Sequence, residues 1–308
     1  MRRLTCEVAV IGGGVFGLAS ALELARRGHE VVVVDRLGPG HPATSSTGVS
    51  RSIRVAYGEP FYAALARDAL ERWRALEASA GVRILHLTGQ IDLGWDPALT
   101  AILDAVTSAG GTIERRTNAR LREAFPELET GAGDGLFHRD AGTVLADAGL
   151  RALQAGAVAA GVRLLAPVRV IGIETDGRAV VTAGDHTVEA GAVVIAAGPW
   201  SGELLQMVGL RLPLAPALAQ VTFLNAPSMV SRPGIAEWPE PGEAGVYGHP
   251  VPGVGYKIAF DAGSEEWSPD VEEWHADPAE ERRILSWLAR RAPEVPRRVA
   301  YSQRHPWT

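Results

Sequence analysis

Residues 7–36, EVAVIGGGVFGLASALELARRGHEVVVVDR, constrain the fold of this chain more tightly than any other stretch. Glu7 to Ile11 is a short apolar run that reads as a buried strand. It leads into Gly12, Gly14 and Gly17 at the spacing G-x-G-x-x-G, and apolar residues from Val15 through Leu24 then recur at helical spacing until Gly28 ends the helix. Val31 to Val34 reads as a second buried strand, closed by Asp35. Each piece has a physical task. Gly12 makes the tight turn, Gly14 lets the backbone approach a pyrophosphate, and Gly17 lets the helix pack closely on the strand. Val15 and Phe16 open a helix whose N-terminus favours an anion. Asp35, followed by Arg36, is placed to accept hydrogen bonds from an adenosine ribose. The unit predicts a dinucleotide bound in a Rossmann-type α/β domain, and by itself it does not choose between NAD and FAD.

Composition narrows the class. A chain of 308 residues has room for two domains, each with its own core. Apolar residues at 46%, charged residues at 21%, 35 glycines and 20 prolines suit a mixed α/β enzyme rich in turns. The net charge of −6, with basic residues clustered no further than scattered RR pairs, argues against a nucleic-acid partner. Cys6 is the only cysteine, which excludes an internal disulfide framework and fits a reducing compartment. The basic start MRRLT precedes an apolar run that passes directly into the glycine motif, unlike a signal peptide, and no stretch reaches the roughly 18 apolar residues of a membrane span. A soluble cytoplasmic protein with no membrane partner is expected. The histidines lack metal-ligand spacing and G-x-S-x-G is absent, so neither a metal site nor serine hydrolysis is indicated.

After the second strand comes LGPGHPATSSTGVSRSIRVAYGEPFYAALARDALERWRALE. Arg51, Arg54, Ala56, Tyr57, Gly58 and Glu59 form R-x-x-R-x-A-Y-G-E, and Tyr62, Leu65, Ala66, Ala69, Trp73 and Leu76 form Y-x-x-L-A-x-x-A-x-x-x-W-x-x-L. With these motifs the sequence resembles the FAD-dependent amine oxidases of the D-amino-acid oxidase superfamily, most closely the branch of monomeric sarcosine oxidase and N-methyltryptophan oxidase. The resemblance implies FAD, with the loop carrying Ser45, Ser46 and Thr47 along the flavin and Arg51 against the isoalloxazine. It also implies Arg54 as a clamp on the substrate carboxylate, a role suited to the planar fork of guanidinium. The plainer role for both arginines is to tie down the loop.

Later stretches extend the resemblance. Ala146 to Ala160 reads as a helix, and the VRV segment resembles the family's edge strand on the adenine side, which places Val170 near the cofactor. HTVEAGAVVIAAGPWSGELL matches the family's A-x-G-x-W stretch: Val193 to Ala196 read as a buried strand, Ala197 and Gly198 turn past the cofactor, and Trp200 covers it. The implied organisation is a discontinuous FAD-binding domain, residues 1–82 and 143–213, with a second, sheet-containing substrate domain of residues 83–142 and 214–308. The fold class is therefore mixed α/β (α+β). AGVYGHPVPGVGYKIAFDAGS resembles the family's Y-G-F-P…G-x-K-x-G-x-H stretch. Tyr247 matches a tyrosine lining the substrate pocket. Lys257, the only lysine among 30 basic residues, matches the lysine that contacts flavin N5 through a water and activates oxygen. A fixed ammonium in a dry site stabilises negative charge developing on oxygen, and its compact head reaches where a guanidinium needs different room. Gly253 and Gly255 predict a turn or irregular strand leading to it.

The implied reaction removes a hydride from the α-carbon of a secondary amine or amino acid, sarcosine-like or N-methylated. It yields an imine, and O2 is reduced to H2O2 by a monomeric enzyme. A dehydrogenase of the same superfamily using another acceptor shares nearly every motif and stays open, as does a noncatalytic homologue. Three departures mark this chain. Asp261 stands where the family has a histidine four residues after the lysine, replacing a potential cation by an anion. His249, at the phenylalanine position of Y-G-F-P, either titrates near neutrality or is a hydrogen-bonded pocket histidine. RHPWT places His305, Trp307 and Thr308 on the family's flavin-linking C-x-Y-T motif without a thiol. Cysteinyl attachment is thereby excluded and noncovalent FAD expected, with a histidyl link at His305 as the lesser alternative. Family members continue into a G-x-S-G-x-G-F-K flavin-cradling stretch that would follow Thr308, so the chain reads either as part of a longer protein or as a shortened homologue.

Overall fold

The computed structural model describes residues 2–131, 133–261, 265–269, 271 and 274–307. Its first sheet grows from the glycine unit. Strand β1 (Arg2–Ile11), helix α1 (Val15–Arg26) and strand β2 (Val31–Val34) form one parallel crossover. The sheet has six strands in the order Val170–Glu174, Ala179–Ala183, His186–Ile195, β1, β2, Arg163–Leu165. β1 pairs in parallel with both neighbours, as does β2, while the first two strands form an antiparallel extension at one edge.

Period-two alternation explains why VVVV is wholly apolar. Val31 and Val33 pack with Val8 and Val10 against α1 and the helix Ala146–Ala159, whereas Val32 and Val34 pack with Ala9, Ile11 and Leu204 on the opposite face. Both faces are covered, so every position wants an apolar side chain, each contributing about 1.5–3 kcal/mol when fully buried. β1 is longer than its apolar run predicts. Arg2–Cys6 pairs with His186–Ala190 but has no β2 residue opposite, and most of its side chains are exposed, so hydropathy does not signal it. Val193 to Ala196 also differ from the expectation of a buried strand: all four are only half-buried. Their end of the sheet opens onto the large cavity, which Ala196 lines.

A second, nine-stranded sheet runs Glu265–Glu266, Ala217–Leu224, Gly255–Phe260, Val246–Val251, Gly234–Trp238, Gln90–Gly94, Gly135–His138, Glu114–Arg116, with Val299–Trp307 also paired to Ala217–Leu224. It is antiparallel except where Gly234–Trp238 runs parallel to Gln90–Gly94. The helix Pro278–Arg291 covers it with Ile284, Trp287 and Leu288, and starts where the Asp277 carboxylate accepts from the Ala279 N–H at 2.8 Å. Between the two large sheets lies a small one of Arg51–Ile53, Gly142–Val144 and Leu85–Leu87. It carries Arg51 at its edge. The long helix α2 (Pro60–Ala80) begins with proline at its first turn and ends at Gly81, whose φ of +64° is the left-handed cap glycine supplies cheaply.

Candidate active site

Gly12 and Gly17 make the tight turn and the close helix packing expected of them. Gly12 has φ +113°, and a Cβ there would stand 2.3 Å from the Ala196 carbonyl oxygen; one at Gly17 would stand 1.8 Å from the Gly12 carbonyl oxygen. Two strand ends and a helix therefore meet at a distance only glycine permits. Gly14 is the N-cap of α1, with the Ser46 hydroxyl beside it: a Cβ would approach that oxygen to 2.9 Å, and the same Oγ accepts from the Val15 N–H at 3.0 Å. The Asp35 carboxylate accepts from the N–H groups of Gly13 (2.6 Å), Leu37 (3.0 Å) and Gly38 (2.5 Å). It thus braces the glycine turn against the exit of β2 while retaining lone pairs for a further donor.

From this turn a cavity of about 690 Å³ extends to the arginine loop. Gly12, Gly14, Val15, Phe16, Asp35, Arg36, Ser45, Ser46, Arg51, Arg54, Val170, Ala197, Gly198 and Trp200 all line it. Phe16 is 80% exposed at its mouth. Gly198, at φ +52°, turns the chain so that Trp200 stands beneath the Arg36 guanidinium, 5.6 Å from ring centroid to Cζ. Arg36 Nη1, Ser45 Oγ and the Trp200 indole nitrogen are buried at this wall with no hydrogen-bond partner among the described residues. A large apolar cavity with a few such polar groups and an amide-rich helix N-terminus fits the phosphate, ribose and ring parts of FAD. Gly17 does not line the cavity; it packs against the Gly12 carbonyl. Thr47 is likewise buried behind it and accepts from Arg51 through its own carbonyl at 2.6 Å. Lining residues that the sequence did not single out as site residues include Ala66, Ala69 and Trp73. Their three- and four-residue spacing along α2 is the signal that marks one helix face.

At the far end the cations gather. Arg51 donates to the carbonyls of Ser50 (2.8 Å), Ser45 (2.6 Å) and Thr47 (2.6 Å), and burial pulls its pKa below the ordinary range, partly offset by Tyr247 and Asp147. Lys257, 3% exposed, donates to the same Ser50 carbonyl at 3.3 Å and lies 5.9 Å from the Phe223 ring centroid. Burial first and then the Arg51 charge push its pKa down to about 7. One carbonyl oxygen therefore joins the two cations, with Lys257 behind Arg51 and outside the cavity lining. Gly253 and Gly255 take φ of +83° and +138° in the turn that leads to the lysine, as expected.

His249 stands directly across the sheet from Lys257. It is buried, its Nδ1 lies 2.7 Å from the Thr143 hydroxyl, and burial and then the Lys257 charge hold its pKa well below the ordinary imidazole value. These point away from titration near neutrality: His249 is a buried, hydrogen-bonded histidine, and it lines neither the large cavity nor its smaller neighbour. His305 on the strand Val299–Trp307 is pushed to about 3 by burial, Arg51 and Lys257. Its neighbour Trp307 lines the cavity, and Thr308 lies outside the described residues. Cys6 is enclosed in the six-stranded sheet and its thiol is pushed up by burial.

Arg54 lies where the large cavity meets a smaller one of about 230 Å³ that Tyr247, Trp238 and Asp261 also line. Its guanidinium is 5.2 Å from the ring centroids of both Tyr57 and Trp238. The Tyr247 hydroxyl is pushed up by burial and then by Asp261, against the pull of Arg51 and Arg54. The structure thus brings Arg54, Tyr247 and Asp261 together at one small chamber. Lys257 belongs to the Arg51 side.

The sequence profile of the family described as FAD dependent oxidoreductase (DAO) matches residues 7–308. Mouse (Mus musculus) peroxisomal sarcosine oxidase is 31% identical over 211 residues, a match covering 68% of this chain and 54% of the mouse protein, so the matched span is little more than half of that relative. Monomeric sarcosine oxidase from Bacillus sp. (strain B-0618) is 27% identical over 300 residues, covering 92% of this chain and 75% of the relative. Among solved structures, NikD, an unusual amino acid oxidase essential for nikkomycin biosynthesis, superposes with a TM-score of 0.84 at 25% identity, covering 98% of this chain and 81% of NikD.

Proposed function

The chain belongs to the FAD dependent oxidoreductase (DAO) family, and from that premise we propose that it oxidises the C–N bond of a carboxylated secondary amine or amino acid, of the sarcosine or N-methyl amino acid kind. The substrate loses a hydride from carbon and a proton from nitrogen to become an imine. O2 takes up two electrons and two protons as H2O2. Bound FAD would supply the hydride acceptor. In this reading residues 1–82 and 143–213 hold the cofactor without a covalent link, and residues 83–142 and 214–308 cover the substrate in a monomeric cytoplasmic protein.

The observation that carries the reading is the placement of Arg54. Its guanidinium carbon lies 5.2 Å from the ring centroids of both Tyr57 and Trp238, two apolar neighbours that do not compete for its N–H groups, and those N–H groups can receive a carboxylate in two parallel hydrogen bonds. Tyr247 closes the same chamber. Arg51 keeps a fixed positive charge against the cavity, and Lys257, balanced near neutrality, holds a proton in a dry site beside it. A preorganised cation of this kind favours reduction of oxygen over transfer to a distant acceptor.

The test is spectroscopic. FAD-loaded protein should lose its yellow absorbance when an N-methyl amino acid is added without air, then recover it with release of peroxide when air is admitted. FAD-loaded protein that no carboxylated amine bleaches would sink the proposal. Bleaching without recovery in air would transfer the oxidising step to another acceptor.

A further inference from the structure

We propose that Trp238 and Asp92 are positioning residues for Arg54, acting through a hydrogen-bonded relay that begins at a buried carboxylate and ends at the guanidinium face. The inference rests on the reading of Arg54 as the carboxylate clamp. Arg54 has no hydrogen-bond acceptor among the described residues, and its guanidinium rests instead against two rings, Tyr57 and Trp238, each with its centroid 5.2 Å from Cζ. Trp238 is the ring that the second sheet contributes. Its indole N–H donates to Asp92 Oδ1 at 2.9 Å, and the same oxygen accepts from the Gln90 side chain at 3.0 Å. The other carboxylate oxygen faces His138 Nε2 at 3.2 Å, and the side chains of Asp92 and His138 are both 0% exposed.

The backbone of Trp238 is pinned to the same strand. Gly94, at φ +116°, comes so near that a Cβ would stand 2.0 Å from the Trp238 carbonyl oxygen, which also accepts from the Trp95 N–H at 2.7 Å. Main chain and ring are therefore both anchored on Gln90–Gly94. A carboxylate sealed from water is costly where an apolar group of similar size would serve packing alone. Here, held between Gln90 and His138, it accepts the indole N–H and so restrains the Trp238 ring. The restrained ring is the surface against which the Arg54 guanidinium rests, and so bears on the direction in which its N–H groups meet a carboxylate.

The experiment compares FAD-loaded wild type, Trp238→Phe, Asp92→Asn and Arg54→Ala. Acetate affinity is read from the perturbation of the flavin spectrum, and anaerobic reduction by N-methylglycine is resolved into affinity and limiting rate. Trp238→Phe keeps a ring but loses the N–H; it should weaken acetate and N-methylglycine binding about tenfold while FAD affinity, melting temperature and limiting rate stay within about twofold or a few degrees. Asp92→Asn retains an acceptor oxygen for the indole and should bind acetate within about threefold of wild type. Wild-type affinity in Trp238→Phe overturns the relay and leaves the clamp standing. Parallel losses of FAD affinity and limiting rate also overturn it, as a purely structural role. Acetate binding that Arg54→Ala leaves unchanged, or that wild type lacks, removes the clamp and the relay together.

Discussion

Replacing Lys257 by methionine should stabilise the protein, and the gain should depend on pH with a slope that can be worked out beforehand. An unfolded chain holds this ammonium in water with a pKa of 10.5, whereas burial and Arg51 bring the folded value to about 7. Between those values the unfolded chain binds a proton that the folded chain has released, so the wild type gains stability as pH rises through the window. Below about pH 7 both states are protonated and the folded chain carries the whole cost of the buried charge, about 5 kcal/mol at its limit. Methionine fills similar space and removes the titration. The variant should therefore exceed wild type by about 4 kcal/mol at pH 7 and about 2 kcal/mol at pH 9, falling by about 1.4 kcal/mol per pH unit between, before the loss of the Ser50 hydrogen bond subtracts about 1 kcal/mol throughout. His305, held at about 3, is neutral across the whole window and adds no slope. Urea denaturation without added FAD, run at several pH values on both proteins, measures the difference directly. A difference that stays flat from neutral to alkaline pH would show that Lys257 is solvated or paired in the folded state, and the burial argument would fail.

The same variant should slow reoxidation by O2 at least tenfold while anaerobic reduction by substrate changes by less than about threefold, as the loss of a cation that matters only when oxygen becomes negative; stopped-flow measurement of the two half-reactions separates them, and equal losses would contradict the assignment. Gly12→Ala should abolish FAD retention and destabilise the fold by several kcal/mol, on the order of a buried clash added to a left-handed backbone, because the new methyl would meet the Ala196 carbonyl oxygen at 2.3 Å. Soluble Gly12→Ala protein that keeps its yellow colour through dialysis would refute the close-approach reading of this turn.

Much of the cofactor wall was legible because its determinants are local. Gly12 and Gly14 lie within one turn, the alternation of Val31 to Val34 lies within one strand, and Asp35 and Arg36 follow at once in sequence, whereas Ser45 and Ser46 came through resemblance. Trp200 and Val170 were reachable only through resemblance, since nothing in their own neighbourhoods announces a ligand. The support behind Arg54 was not legible by either route. Asp92 and Trp238 are separated by 146 positions and meet only because two distant strands pair in parallel, a register that hydropathy does not encode. His249 illustrates a different limit. A histidine at this position suggests titration, but burial first and then the Lys257 charge hold it neutral, and its hydrogen-bond partner, the Thr143 hydroxyl, lies 106 positions away.

Residue type at position 257 is best explained by titration rather than by charge alone. Arg51 and Lys257 donate to one carbonyl oxygen, the Arg51 charge disfavours that of Lys257, and both are withdrawn from water. When two such cations compete, the group with the lower ordinary pKa gives way first. The Arg51 guanidinium, the stronger base, is lowered by burial and keeps its charge; Lys257 starts at 10.5 and is brought to about 7. An arginine at 257 would remain charged at every pH the fold tolerates, leaving two fixed cations in a site where, among the described residues, no carboxylate is hydrogen-bonded to either. A chain that uses arginine for every other cation thus keeps lysine at the one buried position where a proton can be held or released near neutral pH.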